Sequence, residues 1–104
     1  MFDMRHLDKF HGLEVHASAA MKAFLAFDKT AWSDGAIPRK YKELIAVAVA
    51  LTVQCPYCIE LHVERARKHD ASDPELAETV FAAGALRAGG AITHGTHAMH
   101  ESGV

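Results

Sequence analysis

Each of the three prolines in this chain stands where a helix can begin. Proline suits the first turn of a helix because its missing N–H would have no partner there and its φ is already helical. The signal is strongest at Pro74, where Ser72 can act as the N-cap and Glu75 completes a capping box. Pro38 and Pro56 mark two earlier starts. The sequence therefore predicts helices over residues 38–53, over residues 56 to about 68, and onward from the Ser72 cap.

The segment before Pro38 has the periodicity of one amphipathic helix, predicted over residues 3–28. Gly12 is expected to weaken its first third, and a loop over residues 30–37 is expected to end it. Apolar side chains recur along the segment at spacings near three and four residues, at Leu7, Phe10, Ala17, Met21 and Phe24.

Residues 41–53 are ambiguous between a helix and a strand. Apolar and small side chains alternate there as they do in a strand, whereas Glu43, Leu44 and the alanines suit a helix. We predict a helix, because about 16 residues from Pro38 to Val53 is long for a strand and a buried helix can be apolar all round.

Small side chains dominate the composition and favour an all-α fold. Nineteen of the 104 residues are alanine and eight are aromatic, which predicts closely approaching helices. The sequence has no repeat or linker, so residues 1–104 form one predicted domain, a helical bundle of four or five helices. A domain this small buries a modest share of its surface, which makes a homo-oligomer an expected state.

The only two cysteines, Cys55 and Cys58, are separated by two residues and followed by His62. If Pro56 opens a helix, Cys55 lies at its start, Cys58 lies in its first turn, and His62 follows one turn later on the same stripe. The helix dipole and a protonated His62 would both favour a thiolate at Cys58. The pattern predicts a thiol pair with its own base, and therefore redox chemistry.

Three other interpretations fit the same spacing. The cysteines can be an inert buried pair, or they can bind zinc with His62 and a further ligand such as His94 or His97. The third alternative is a thioredoxin-fold dithiol, because the tetrapeptide resembles the glutaredoxin active site. That fold requires a strand before the motif and a βαβ pattern after it, and nothing after Cys58 resembles a strand.

A longer stretch, residues 37–98, resembles the carboxymuconolactone decarboxylase superfamily and is most similar to its alkyl hydroperoxidase D branch. The specific elements are Glu43, twelve residues before the cysteine pair, and His62. The resemblance implies an all-helical bundle that assembles into trimers or hexamers. It also implies that Cys58 is the peroxidatic cysteine, Cys55 the resolving cysteine, His62 the base and Glu43 the distal end of a proton relay.

One position departs from that branch, which has a histidine where this chain has Tyr57. A phenol is a poorer base at neutral pH, so either the Tyr57 hydroxyl or a water is expected to substitute in the relay. The superfamily also contains decarboxylases that lack the dithiol, and the two cysteines favour the peroxidase-like branch. The predicted activity is reduction of alkyl hydroperoxides without a bound cofactor or metal, with an external dithiol or a thioredoxin-like protein as reductant.

The alternative is a non-catalytic, redox-sensing or metal-binding helical oligomer. A metal site at His94, His97 and His100 is the less favoured reading of three histidines near a terminus. His6, His11 and His16 recur every fifth residue, which distributes them around a helix and indicates solvated side chains.

The charge balance limits the classes of partner. The formal net charge of -2 gives no support to nucleic-acid binding. No apolar run reaches the roughly 20 residues that span a bilayer, and the charged N-terminal residues do not resemble a signal peptide. A cytoplasmic protein that binds neither nucleic acid nor membranes is the expectation.

Overall fold

The computed structural model describes residues 2–103, and within that range the chain is helical without a strand. A 3₁₀ helix precedes five α-helices, and a second 3₁₀ helix follows them. The α-helices are α1 (Phe10–His16), α2 (Ser18–Trp32), α3 (Arg39–Val53), α4 (Pro56–Lys68) and α5 (Asp73–Gly95); the 3₁₀ helices are Met4–Lys9 and Thr96–Ala98. The all-α prediction is confirmed, including the helix over the ambiguous residues 41–53.

The proline-marked starts agree with the prediction. Pro56 and Pro74 lie in the first turns of α4 and α5, and Pro38 directly precedes α3. Before α5, the Ser72 hydroxyl accepts from the Glu75 N–H while the Glu75 carboxylate accepts from the Ser72 N–H. This reciprocal pair satisfies two N–H groups that a helix start would leave without partners.

The first segment differs from the single helix predicted over residues 3–28. The backbone of Ala17 has φ -143° and ψ 54°, which ends α1 and starts α2 in a new direction. The predicted weak point, Gly12, lies inside α1. At its other end α2 continues through Trp32, so the predicted loop begins at Ser33. The Trp32 indole N–H donates to the Asp28 carboxylate at 2.9 Å and helps to hold this last turn.

Helices α3, α4 and α5 form the core, and its side chains are small, as the alanine content predicts. Val47 and Leu76 are the larger apolar side chains among the buried residues. The other buried apolar residues are alanines, which let helix backbones approach closely: Ala46, Ala50, Ala66, Ala71 and Ala83.

Much apolar surface lies outside this core. The chain measures 58 × 34 × 30 Å with a radius of gyration of 17.9 Å, whereas a compact domain of this length has roughly 13 Å. Phe27 on α2 is 70% exposed, and Phe81 and Ile92 on α5 are 77% and 74% exposed. The isolated chain therefore leaves large side chains on α2 and α5 uncovered. Among residues 2–103, no helix combines the length and the apolar character needed to cross a membrane.

Candidate active site

The two cysteines lie at the start of α4, where the sequence predicts them. Cys55 is the N-cap residue, and its sulfur accepts the backbone N–H of Cys58 at 3.3 Å. Both are free thiols and both are half-buried. A left-handed residue, Gln54, with φ 56°, joins the end of α3 to Cys55. The tight connection between α3 and α4 therefore places the thiol pair where the two helices meet.

The pKa values of the two thiols shift in opposite directions. The Cys58 thiol and two backbone N–H groups donate hydrogen bonds to Cys55, which lowers the pKa of Cys55. The same interaction with Cys55 is the largest cause that raises the pKa of Cys58 to about 11, followed by burial and by the Cys55 charge. The expected thiolate at Cys58 is therefore wrong for the resting pair, because the hydrogen bond with Cys55, burial and the Cys55 charge all raise the pKa of Cys58.

Glu43 and His62 meet across the interface between α3 and α4. The Glu43 side chain is fully buried, and its Oε2 lies 2.7 Å from His62 Nδ1. A carboxylate only accepts hydrogen bonds, so Nδ1 is the donor in this contact and Nε2 is the ring nitrogen left for another partner. The centroids of the Trp32 and His62 rings lie 4.9 Å apart, so Trp32 also restricts the orientation of His62. This arrangement orients His62 as a proton acceptor.

Arg39 completes the surroundings of the buried carboxylate. Its Nε lies 3.5 Å from Glu43 Oε1, one helical turn earlier on α3. Neither of these two buried atoms has a hydrogen-bond partner within residues 2–103. Burying a carboxylate is costly without a compensating charge, so Arg39 offsets the charge of Glu43. Arg39 is not among the residues predicted from the sequence, although its i to i+4 spacing from Glu43 was a usable signal.

A cavity of about 400 Å³ lies beside the thiol pair. Cys58, His62 and Tyr57 line it, whereas Cys55 is absent from its wall. Most of the remaining wall is apolar and comes from the N-terminal part of the chain and from α4: Leu7, Phe10, Met21, Phe24, Leu25 and Leu61. A reactant in this cavity would meet Cys58 before Cys55.

Tyr57 is held by residues that the sequence analysis assigned no role. The Tyr57 hydroxyl oxygen accepts the Asp3 backbone N–H at 3.2 Å and lies 3.0 Å from His6 Nδ1. The Phe2 ring packs edge-on against the Tyr57 ring, with centroids 4.8 Å apart. His6 is exposed, as the sequence predicts, and it also contacts Tyr57. More than 50 residues separate it from Tyr57, so no local pattern could reveal the contact.

The structure thus brings all five predicted site residues, Glu43, Cys55, Tyr57, Cys58 and His62, to one region between α3 and α4. The C-terminal histidines lie elsewhere, at the end of α5 and just after it, with the His94 and His97 rings 6.2 Å apart. In the part of the chain that the structure describes, no group of three or more His, Cys, Asp or Glu side chains is arranged to hold a metal ion.

The sequence profile of the Carboxymuconolactone decarboxylase family matches residues 18–101. The chain is 46% identical to uncharacterized protein 4 in the cox locus of Paracoccus denitrificans, over 74% of this chain and 69% of the relative. It is 40% identical to an uncharacterized protein of Cupriavidus necator, over 69% of this chain and 64% of that relative. The chain thus spans about two thirds of each of these relatives.

Two solved structures have a similar fold. A carboxymuconolactone decarboxylase family protein from Legionella pneumophila superposes with a TM-score of 0.73 at 34% identity, covering 77% of this chain and 71% of that chain. A protein from Methanobacterium thermoautotrophicum superposes with a TM-score of 0.77 at 28% identity, covering 82% of this chain and 96% of that chain.

Proposed function

The chain belongs to the carboxymuconolactone decarboxylase family, and from that premise we propose that it is a thiol-dependent peroxidase that reduces organic hydroperoxides through Cys55 and Cys58. The observation that carries the proposal is the convergence of a thiol and an oriented base on one cavity. Cys58 and His62 both line it, and the buried Glu43 holds the His62 ring from behind. A nucleophile, a base and a group that orients the base are the parts required for nucleophilic catalysis.

In the first step, His62 takes the proton of the Cys58 thiol. The Cys58 sulfur then attacks the terminal oxygen of the hydroperoxide, so that an S–O bond forms as the O–O bond breaks. The departing alkoxide takes the proton from His62 and leaves as an alcohol. Cys58 is now a sulfenic acid, and the sulfur has given two electrons to the peroxide.

In the second step, Cys55 attacks the Cys58 sulfur. An S–S bond forms, the S–O bond breaks, and hydroxide leaves as water after taking up a proton. The lowered pKa of Cys55 supports this resolving role, because the attacking thiol must be a thiolate. An external dithiol or a thioredoxin-like protein then reduces the disulfide by exchange, which restores both thiols.

We further propose that the working unit is a homo-oligomer, a trimer or a hexamer. The exposed large side chains of α2 and α5, among them Phe27, Phe81 and Ile92, support it. Exposed large apolar side chains are typical of subunit interfaces where they lie together in one patch. Sedimentation or light scattering of the purified protein measures the subunit number directly.

Single-cysteine variants test the peroxidase reaction. We expect Cys58→Ser to lose consumption of cumene hydroperoxide, because the sulfur that faces the cavity is gone. Cys55→Ser should complete one turnover and stop as a sulfenic acid, which a dimedone adduct on Cys58 would reveal by mass spectrometry. Peroxide consumption at the parental rate by Cys58→Ser would rule out the proposed mechanism.

A further inference from the structure

The cavity beside Cys58 takes part of its wall from a segment outside the family-matched residues. We call residues 2–10 the N-terminal segment. Leu7 and Phe10 of this segment line the cavity together with Cys58, whereas the match to the family begins at residue 18. This part of the wall therefore lies outside the residues that match the family.

Hydrogen bonds and a ring contact from the N-terminal segment converge on Tyr57 of α4. The Asp3 backbone N–H, the His6 ring nitrogen and the Phe2 ring all reach this one side chain. Tyr57 is adjacent to Cys58 and lines the same cavity. Holding Tyr57 therefore places the N-terminal segment over the reactive end of α4.

Of the three contacts with Tyr57, the contact of His6 is the one that uses a polar side-chain atom. The Asp3 donor is a backbone group, which any residue at that position would supply, and the Phe2 contact is apolar. The third contact instead depends on the His6 side chain, whose Nδ1 lies 3.0 Å from the Tyr57 hydroxyl oxygen. The His6 side chain is exposed, so general burial does not account for its position.

We propose that His6 is a positioning residue that acts through Tyr57. It holds Leu7 and Phe10 as the apolar wall above Cys58, and this wall selects bulky apolar hydroperoxides over hydrogen peroxide. The inference rests on the proposed peroxidase function and adds the residue that sets its substrate preference. Hydrogen peroxide has no apolar surface to bury against Leu7 and Phe10, whereas a cumyl or long alkyl group does.

The size of the effect follows from the area of contact. Losing about 50–60 Å² of apolar contact between substrate and wall weakens binding about tenfold. We therefore expect His6→Ala to raise the KM for cumene hydroperoxide about tenfold with little change in kcat, since the wall binds the organic group and does not touch the reacting sulfur. The ratio of kcat/KM for cumene hydroperoxide to that for hydrogen peroxide should fall by the same factor.

Three further variants separate the hydrogen bond from general disturbance of the fold. His6→Asn keeps a polar group near the Nδ1 position and should restore most of the ratio. In a Tyr57→Phe background, His6→Ala should have no further effect. His11→Ala is the matched control, because His11 is an exposed histidine of α1 that does not line the cavity, and it should leave the ratio unchanged.

A second measurement does not depend on peroxidase activity. The alcohol 2-phenyl-2-propanol has the shape of the cumyl group without a peroxide bond, and it should slow alkylation of Cys58 by iodoacetamide. His6→Ala should need about tenfold more alcohol for the same protection. If the parent protein consumes neither peroxide, the proposed function fails while this measurement still decides the role of His6.

The inference is overturned if His6→Ala changes neither the substrate ratio nor the protection by alcohol. Equal effects of His6→Ala and His11→Ala would overturn it as well, since the contact with Tyr57 would then be irrelevant. A His6→Asn variant no better than His6→Ala would exclude the hydrogen bond as the cause.

Discussion

Replacing Cys55 with alanine should make Cys58 more reactive at mildly alkaline pH, although it removes half of the thiol pair. The pKa of Cys58 is raised from 9.0 to about 11, and the largest cause is the hydrogen bond to Cys55. Burial is the second cause and the Cys55 charge is the third. Cys55→Ala removes the first and the third causes and leaves burial, so the pKa of Cys58 should fall part of the way back toward 9.0.

The expected magnitude follows from the thiolate fraction. At pH 8 a thiol of pKa about 11 is ~0.1% thiolate, and a fall of more than about one unit but less than the full two units raises that fraction by about tenfold or more, short of a hundredfold. A thiolate of lower pKa is intrinsically less nucleophilic, by about threefold to tenfold over the same range. The net rate of alkylation of Cys58 at pH 8 should therefore rise about threefold to tenfold. In the parent, the rate should keep rising with pH up to about 11.

The assay is alkylation by iodoacetamide followed over time by mass spectrometry. Both cysteines of the parent lie on one tryptic peptide, residues 43–65, so fragment ions must assign the label to Cys58. Cys58→Ala is the control, and it should change the alkylation rate of the remaining cysteine in the opposite direction. It removes a donor that lowers the pKa of Cys55, and alkylation of Cys55 at pH 7 should slow. A Cys58 rate in Cys55→Ala equal to or below that of the parent would refute the electrostatic coupling described above.

Three further predictions concern stability, measured by chemical denaturation. Arg39→Gln should destabilise the fold by about 3 kcal/mol, because it leaves the Glu43 carboxylate buried without a cation; a similar loss in a Glu43→Gln background would contradict this explanation. Ser72→Ala should cost about 1 kcal/mol through loss of the capping box with Glu75, and no change would mean that the α5 start is held by packing alone. Gln54→Gly should stabilise by about 0.5–1 kcal/mol, since φ is 56° there and glycine has no side chain to strain; a loss would show that the Gln54 side chain has another role.

Local chemistry in the sequence was sufficient to predict the starts of α3, α4 and α5. Proline at or just before a first turn and a capping serine act within four residues, so each start can be found without knowledge of the rest of the chain. The break at Ala17 could not be found in this way. The residues around Ala17 have acceptable helix propensity, and the interruption is visible only in the folded backbone, where Ala17 has φ -143° and ψ 54°.

The members of the candidate site were predictable for a related reason. Cys55, Cys58 and His62 lie on one short helix, where spacing alone determines which residues share a face. Glu43 was found through its register with the cysteine pair in a family resemblance. Its full burial and its bond to His62 depend on the crossing of α3 and α4, which no local pattern encodes.

The sequence by itself determined that this chain is an all-α protein with a thiol pair at a helix start, because helix signals and residue spacing are short-range properties. Only the tertiary structure decided the order in which the thiols titrate and the identity of the side chains around them. The raised pKa of Cys58 depends on its distance from Cys55 and on burial, and the contact of His6 with Tyr57 joins residues 51 positions apart. Both are through-space interactions, whose strength depends on the folded geometry and not on order along the chain.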